Sequence, residues 1–377
     1  MEWTLPFFFE ASKSQLRVNE IAILLSVARK TGGLEMNISM LGIDLAKNVF
    51  HLHGVDERGA GVLKKKITRA RLLETLAQLP PCIVVMEACR GSNYWGRKAQ
   101  EFGHTAKLIA PQFVKPFVKS NKNDANDAEA ICEAASRPSM RFVPVKGVEQ
   151  EDIQALHRVR ERIIAAQVAL VNQIRGLFEE YGHVLPAGVQ VIRSRFLTEL
   201  EKVKDTLSSM AHELFVQLHF EFKRLDQQIR SYTKTLHALC DKHPVCRRLT
   251  SIPGVGPLTA TAIVAAASDP QSFKNGRQFA AWIGLVPRQH STGGKTKLQG
   301  ISKRGNVYLR KLLIHGARAA LRYAPGKSDT QSVWAARLKQ SKGANKAAVA
   351  LANKNARIIW ALLARDTVYQ ARIPAAA

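Results

Sequence analysis

A lone carboxylate at the end of an apolar, strand-length run constrains this chain more than any other feature. In NISMLGIDLAKNVFHLHGV (residues 37–55), Ile38, Met40, Leu41 and Ile43 lead into Asp44. Val49, Phe50, Leu52 and Val55 then resume a strand pattern after a tight turn. A carboxylate in such a run is costly unless it is exposed, paired or metal-bound. Taken alone, Asp44 reads first as a turn aspartate.

The next hundred residues extend the pattern. The turn DERG (56–59) leads into GVLKKKIT (61–68), a third strand. Leu72, Leu73 and Leu76 have helical spacing over 69–79, and CIVVM (82–86) is a short buried strand that ends at Glu87. A helix over 91–102, a strand over 105–109 and helices over 111–119 and 126–135 come next. Three meandering strands, then strands alternating with helices, predict a mixed sheet with helices on its faces. If strands one and four are neighbours, Asp44 and Glu87 come together. In KSNKNDANDAEA, Asp124 and Asp127 stand at i and i+3, on one helix face, although Asp also serves as an N-cap. Hard carboxylate oxygens suit Mg²⁺, with Mn²⁺ as the alternative ion, and two such ions can clamp a scissile phosphate.

Composition says what surrounds this cluster. Net charge is +26, with 56 Lys and Arg in 377 residues, so the partner is polyanionic, most simply nucleic acid. No apolar run reaches the length of a membrane span, so no membrane partner is expected. Residues 1–35 lack a basic segment followed by a cleavage site and read as a poorly ordered extension, with Met36 or Met40 nearer the true start. Five cysteines without a CxxC pair point to reduced thiols and a cytoplasmic, nucleoid-associated protein.

The predicted fold class is α/β plus α. The divisions are 1–35, a sheet domain over 36–147, a helical region over 148–243 and a mostly helical domain over 244–377. In the third division Ile153, Leu156, Ile163, Leu170, Ile174, Leu177 and Tyr181 follow a heptad pattern, with Arg160 and Gln167 in seam positions. After GHVLPAG a second series runs from Leu200 to Leu239, with a stutter near Leu218. The pair reads as an antiparallel hairpin or as a coiled coil that also joins subunits.

In the last division, RLTSIPGVGPLTATAIVA (248–265) has the pattern of a helix–hairpin–helix. Gly254 and Gly256 would let the backbone approach a phosphate near a helix N-terminus, while the plain alternative is an ordinary turn between helices. Between Asp269 and Asp329 there is no Asp or Glu but there are 12 Lys or Arg, the mark of a phosphate-binding face. Ser291-Thr292-Gly293-Gly294 lies within it as a flexible loop, flanked by Arg288, His290, Lys295 and Lys297, with Lys303 and Arg304 beyond. A serine nucleophile needs an activating base, a lowered pKa or a metal, and on spacing alone Ser291 is a loop serine.

GIDLAKNVFHLHGVD, VVMEACRGSNYWGRK and KSNKNDANDAEAICEA together resemble the RuvC-like, RNase H-fold domain of DEDD-type insertion-sequence transposases, the one-ten and eleven-eleven group. SIPGVGPLTA, FAAWIGLVPRQHSTGGKTKLQGISKRGN and LRKLLIHGARA resemble that group's C-terminal domain. The resemblance implies metal ligands at Asp44, Glu87, Asp124 and Asp127. It also implies a serine nucleophile at Ser291, with Thr292 the neighbour an alignment shift would substitute. The serine would form a covalent phosphoserine link to DNA, acting jointly with the carboxylates. It further implies DNA partners at the element ends and target, a non-coding bridge RNA, and a homo-oligomer, dimer or tetramer. Two other readings stay open: a structure-specific metal-dependent nuclease, and a non-catalytic nucleic-acid-binding protein.

Overall fold

The computed structural model describes residues 37–119, 124–267, 269–371 and 373, with the side chains of Asp124 and Ala125 outside that description. The expected extension over 1–35 lies outside the described residues. The chain divides after Gly147 into two compact units.

The first unit is a six-stranded mixed sheet. Its strands are β1 (Met40–Leu45), β2 (Val49–Val55), β3 (Gly61–Thr68), β4 (Ile83–Glu87), β5 (Thr105–Ile109) and β6 (Phe142–Val143). The spatial order is β3-β2-β1-β4-β5-β6, with β1, β4 and β5 parallel and the others antiparallel to their neighbours. Helices α1 (Leu72–Gln78) and α2 (Ser92–Glu101) cover one face. There Leu41, Ile43, Phe50, Leu52, Val84 and Met86 meet Leu72, Leu76 and Trp95. Full burial of each such side chain stabilises by roughly 1.5–3 kcal/mol. After α3 (Pro111–Val114), helix α4 (Asp124–Ala135) covers the other face, where Ala130, Ile131 and Ala134 pack on Val85 and Ile109. The helix expected over 111–119 is only a turn followed by a 3-10 turn, because Pro116 supplies no N–H to continue it.

The second unit begins with α5 (Val148–Glu180), which packs on α8 (Ser209–Lys242). Arg160 Nε donates to Thr233 Oγ1 at 2.8 Å and Gln167 Nε2 to Asp226 Oδ1 at 3.1 Å. Moving seven residues forward on α5 moves seven back on α8, so the two helices are antiparallel. Both polar seam residues are thus used within one chain. The second long helix starts at Ser209 rather than near Leu200. Leu200 falls in α7 (Phe196–Lys202), which follows α6 (Val189–Ser194), and Leu207 is extended. Ser208 explains the restart: its hydroxyl accepts the Ala211 N–H at 3.2 Å, so it caps a new helix.

The remaining helices are α9 (Pro244–Thr250), α10 (Pro257–Ala266), α11 (Gly276–Ile283), α12 (Val307–Arg322), α13 (Thr330–Lys342) and α14 (Ala344–Arg365). They enclose a core of Leu249, Ile263, Phe279, Leu313, Ala352 and Ile359. Between α11 and α12 a two-stranded ribbon, β7 (Pro287–Thr292) and β8 (Lys295–Ile301), stands almost wholly exposed. All five cysteines are free. Among the described residues no helix is long and apolar enough to cross a membrane.

Candidate active site and nucleic-acid interface

The parallel pairing of β1 with β4 sets Ile43 beside Met86, so Asp44 and Glu87 come one step beyond, at neighbouring strand ends. Side chains alternate along a strand, so Asp44 shares the α4 side of the sheet with Met40 and Gly42, and Glu87 shares it with Ile83 and Val85. A Cβ on Gly42 would lie 2.6 Å from the Ala128 carbonyl oxygen and 2.7 Å from Cys132 Sγ. Glycine here lets α4 sit directly on β1, which carries Asp127, one residue before Ala128, toward Asp44. Cys132 then donates to the His53 carbonyl at 3.2 Å, and burial pushes its thiol up to about 12.

The electrostatics agree with this convergence. Burial pushes the Glu87 carboxyl above its ordinary range, and the Asp44 and Asp127 carboxylates push it the same way. The donors are hard oxygens, and a divalent cation would relieve the repulsion at Glu87. Among the described residues, no three His, Cys, Asp or Glu side chains gather closely enough to enclose an ion. The fourth carboxylate, on Asp124, is outside the described side chains, although its backbone opens α4. Two neighbouring acids have other work. Asp56 accepts the Arg58 and Ala60 N–H groups in its turn, and Glu129 pairs with Lys119 at 3.3 Å. Sequence reasoning passed over Gly42 and also His51, which stands directly opposite Asp44 on β2.

The serine segment is not the flexible loop expected. Gly293 and Gly294, with φ of +56° and +76°, form a two-residue hairpin turn, and β7 and β8 pair up to it. Ser291 lies opposite Thr296, and its Oγ accepts from Gln289 Nε2 at 2.7 Å. Thr292 lies opposite Lys295, and His290 opposite Lys297. Alternation therefore puts Ser291 on one face of the ribbon, while Thr292, His290, Lys295 and Lys297 take the other; Arg288 lies at the register shift between Pro287 and Gln289. Gln289 was not anticipated; its i−2 spacing from Ser291 becomes a signal only once the segment is read as a strand.

Lys303 and Arg304 are exposed on the segment after the ribbon, and Lys303 has φ of +55°. The buried Arg310 guanidinium holds that segment by donating to the carbonyls of Ile283 at 2.8 Å and Arg304 at 2.9 Å. Gly254 has a packing role apart from the one expected. A Cβ there would lie 2.7 Å from the Gly316 carbonyl oxygen, so glycine lets the turn between α9 and α10 pack on α12, while its backbone stays half-exposed. Gly256 does open onto free space at the start of α10.

A mixed sheet in this order, with helices on its faces and carboxylates at the ends of β1 and β4 and on α4, defines an RNase H-like, DEDD-type unit followed by a mostly helical region. The comparisons place the chain more closely. Residues 246–331 match the model of the transposase IS116/IS110/IS902 family, and residues 41–183 match a DEDD transposase model of the same family. A probable family 20 transposase of Pseudomonas aeruginosa is 50% identical over 339 residues, which cover 89% of this chain and 99% of that protein. The transposase for insertion sequence element IS1111A of Coxiella burnetii is 47% identical over 350 residues, 92% of this chain and 95% of that protein. The transposase for insertion sequence element IS1328 of Yersinia enterocolitica is 41% identical over 333 residues, covering 88% and 99%. The chain belongs to the IS110/IS116/IS902 family of transposases and is a DNA transposase. A DEDD-type domain makes such an enzyme dependent on a divalent metal.

Proposed function

We propose that this transposase excises and inserts its own insertion sequence through a covalent serine intermediate, with Mg²⁺ as its metal, guided by a bridge RNA and acting as a homo-oligomer. The observation that carries the reading is the convergence of Asp44, Glu87 and Asp127 on the α4 side of the sheet, felt at Glu87 as repulsion. These three and Asp124 would hold the metal, which when bound supplies charge stabilisation at the scissile phosphate. Ser291 Oγ attacks phosphorus; the Oγ–P bond forms as one P–O bond of the strand breaks. The hydroxyl proton passes to a base, and the leaving oxygen takes one up. Gln289 supports this role, because its amide occupies an acceptor position on Oγ and orients the hydroxyl. Arg288, Lys295, Lys297, Lys303 and Arg304, with the amide region at Gly256, hold phosphates, and their side chains or backbone are exposed for it.

One observation favours a second nucleophile. Thr292 shares its ribbon face with Lys295 and Lys297, which Ser291 does not. The test covers both. Protein, junction DNA, Mg²⁺ and RNA transcribed from the element's flanks are incubated and denatured, and a protein–DNA adduct is sought. The expected result is an adduct in wild type and Thr292→Ala, lost in Ser291→Ala and Asp44→Asn. Loss in Thr292→Ala instead moves the nucleophile across the ribbon. Cleavage without adduct, surviving in Ser291→Ala, overturns serine chemistry and leaves a metal nuclease.

A further inference from the structure

A wide groove lies in the second unit between the N-terminus of α11, the base of the ribbon and α14, with a volume of about 1370 Å³. That exceeds the ~300–1,000 Å³ of small-molecule sites and leaves room for a polymer segment. Its rim carries Arg277, Lys346, Lys354 and Arg357, and among the described residues no Asp or Glu lines it. Its wall holds Trp334 and Trp360. Trp360 is fixed by its Nε1–H donating to the Pro270 carbonyl at 3.0 Å, and Lys354 Nζ sits 4.5 Å from the Trp334 ring centre. Glycine at 276 builds the corner, since a Cβ there would lie 2.9 Å from the Arg357 carbonyl oxygen. Burial and then the nearby Arg357 lower the Lys354 ammonium against an opposing pull from Asp329, and a phosphate alongside would offset the remaining cost.

We infer that this groove binds an unpaired stretch of DNA strand, its phosphates on the Arg277, Lys346 and Arg357 rim and its bases against the tryptophan-bearing wall. A duplex presents only phosphates and grooves to a surface of this kind and leaves an apolar wall uncovered. Unpaired bases bring apolar π faces that can cover the tryptophan-bearing wall, with Lys354 over Trp334 left to meet a phosphate. Moving a strand from one duplex to another exposes unpaired DNA wherever the pairing partner changes, and a transposase is an enzyme that moves strands. The inference rests on the DNA chemistry of the family and not on Ser291 as nucleophile.

The test uses full-length protein and fluorescence anisotropy with a labelled single-stranded DNA, the same sequence as duplex, and the same sequence as RNA. Arg277→Glu and Lys346→Glu alter exposed side chains, and an unchanged melting temperature verifies folding. The double variant is expected to lose about 10-fold or more in single-stranded DNA affinity, roughly 1.4 kcal/mol, while duplex affinity changes by less than about 2-fold. Cross-linking of a 5-iododeoxyuridine strand is expected at Trp334 or Trp360. Equal loss for duplex, no loss, loss confined to RNA, or cross-links only elsewhere overturns the inference. Ser291→Ala is expected to keep single-strand affinity, so an adduct surviving in that variant would overturn the nucleophile and leave the groove standing.

Discussion

His157 is the residue whose environment most sharply fixes its charge. It is buried on α5, its Nδ1 is 2.9 Å from Tyr308 Oη and its Nε2 is 3.0 Å from Thr261 Oγ1. Burial first, then Arg160, pushes its pKa down to about 4. In the unfolded chain it takes up a proton near pH 6.5, while the native state resists until about pH 4. Stability is therefore full above pH 6.5 and falls as pH drops toward 4, by about 2 kcal/mol at pH 5 from this residue alone. Urea unfolding at pH 7 and pH 5 checks this: His157→Asn, which has no such proton to bind, is expected to lose correspondingly less. An equal loss in both proteins would assign the acid sensitivity elsewhere. None of this was legible beforehand, because Thr261 and Tyr308 lie far along the chain and only the fold brings them to His157. The acids were legible for the opposite reason. Asp44 and Glu87 each end an apolar strand, and a carboxylate there is conspicuous without any knowledge of its neighbours.

At the scale of elements, the contact of β1 with α4 matters most. Gly42 permits it, and the carboxylates on both elements depend on it. Gly42→Ala forces a methyl group into the Ala128 carbonyl and Cys132 Sγ. We expect a loss of about 1–3 kcal/mol, with strand cleavage lost as α4 shifts. Circular dichroism melting and a cleavage assay check it; an unchanged melting temperature would mean the helix does not rest on Gly42. The strands of the first unit were readable because alternation has the same period as the pleat. The second heptad series misled over its first turns because Leu200, Val203 and Leu207 keep the spacing outside the long helix, Leu200 in the separate α7 and Leu207 in extended backbone. The side chain of Ser208 interrupts the series by capping a fresh helix at Ser209. The ribbon was read as a loop because Arg288 to Ile301 buries almost nothing, so no apolar alternation marks its strands.

At the scale of the whole molecule, charge dominates. An excess of 26 positive charges means that DNA affinity is largely counterion release, falling steeply as salt rises. Lys295→Gln and Lys297→Gln are each expected to reduce the slope of log affinity against log salt by about 1, with little dependence on DNA sequence. Binding titrations across a salt series measure this. A slope unchanged in both variants would remove those lysines from the phosphate contacts. The composition announced this behaviour, because an acid-free stretch from Asp269 to Asp329 cannot be a balanced surface. Which lysines share a face with which hydroxyl depended on the register of the ribbon.

That register behaves as an odd-even code. Two glycines at the turn place Ser291 on one side and Thr292 on the other. A single residue inserted into β7 before Ser291, with the turn kept, would exchange the two hydroxyls between sides without disturbing any packed core. Two inserted residues would restore the original parity. The ribbon already absorbs one such irregularity between Pro287 and Gln289, so a change of one would turn over the hydroxyls on which the proposed chemistry depends while leaving the fold intact.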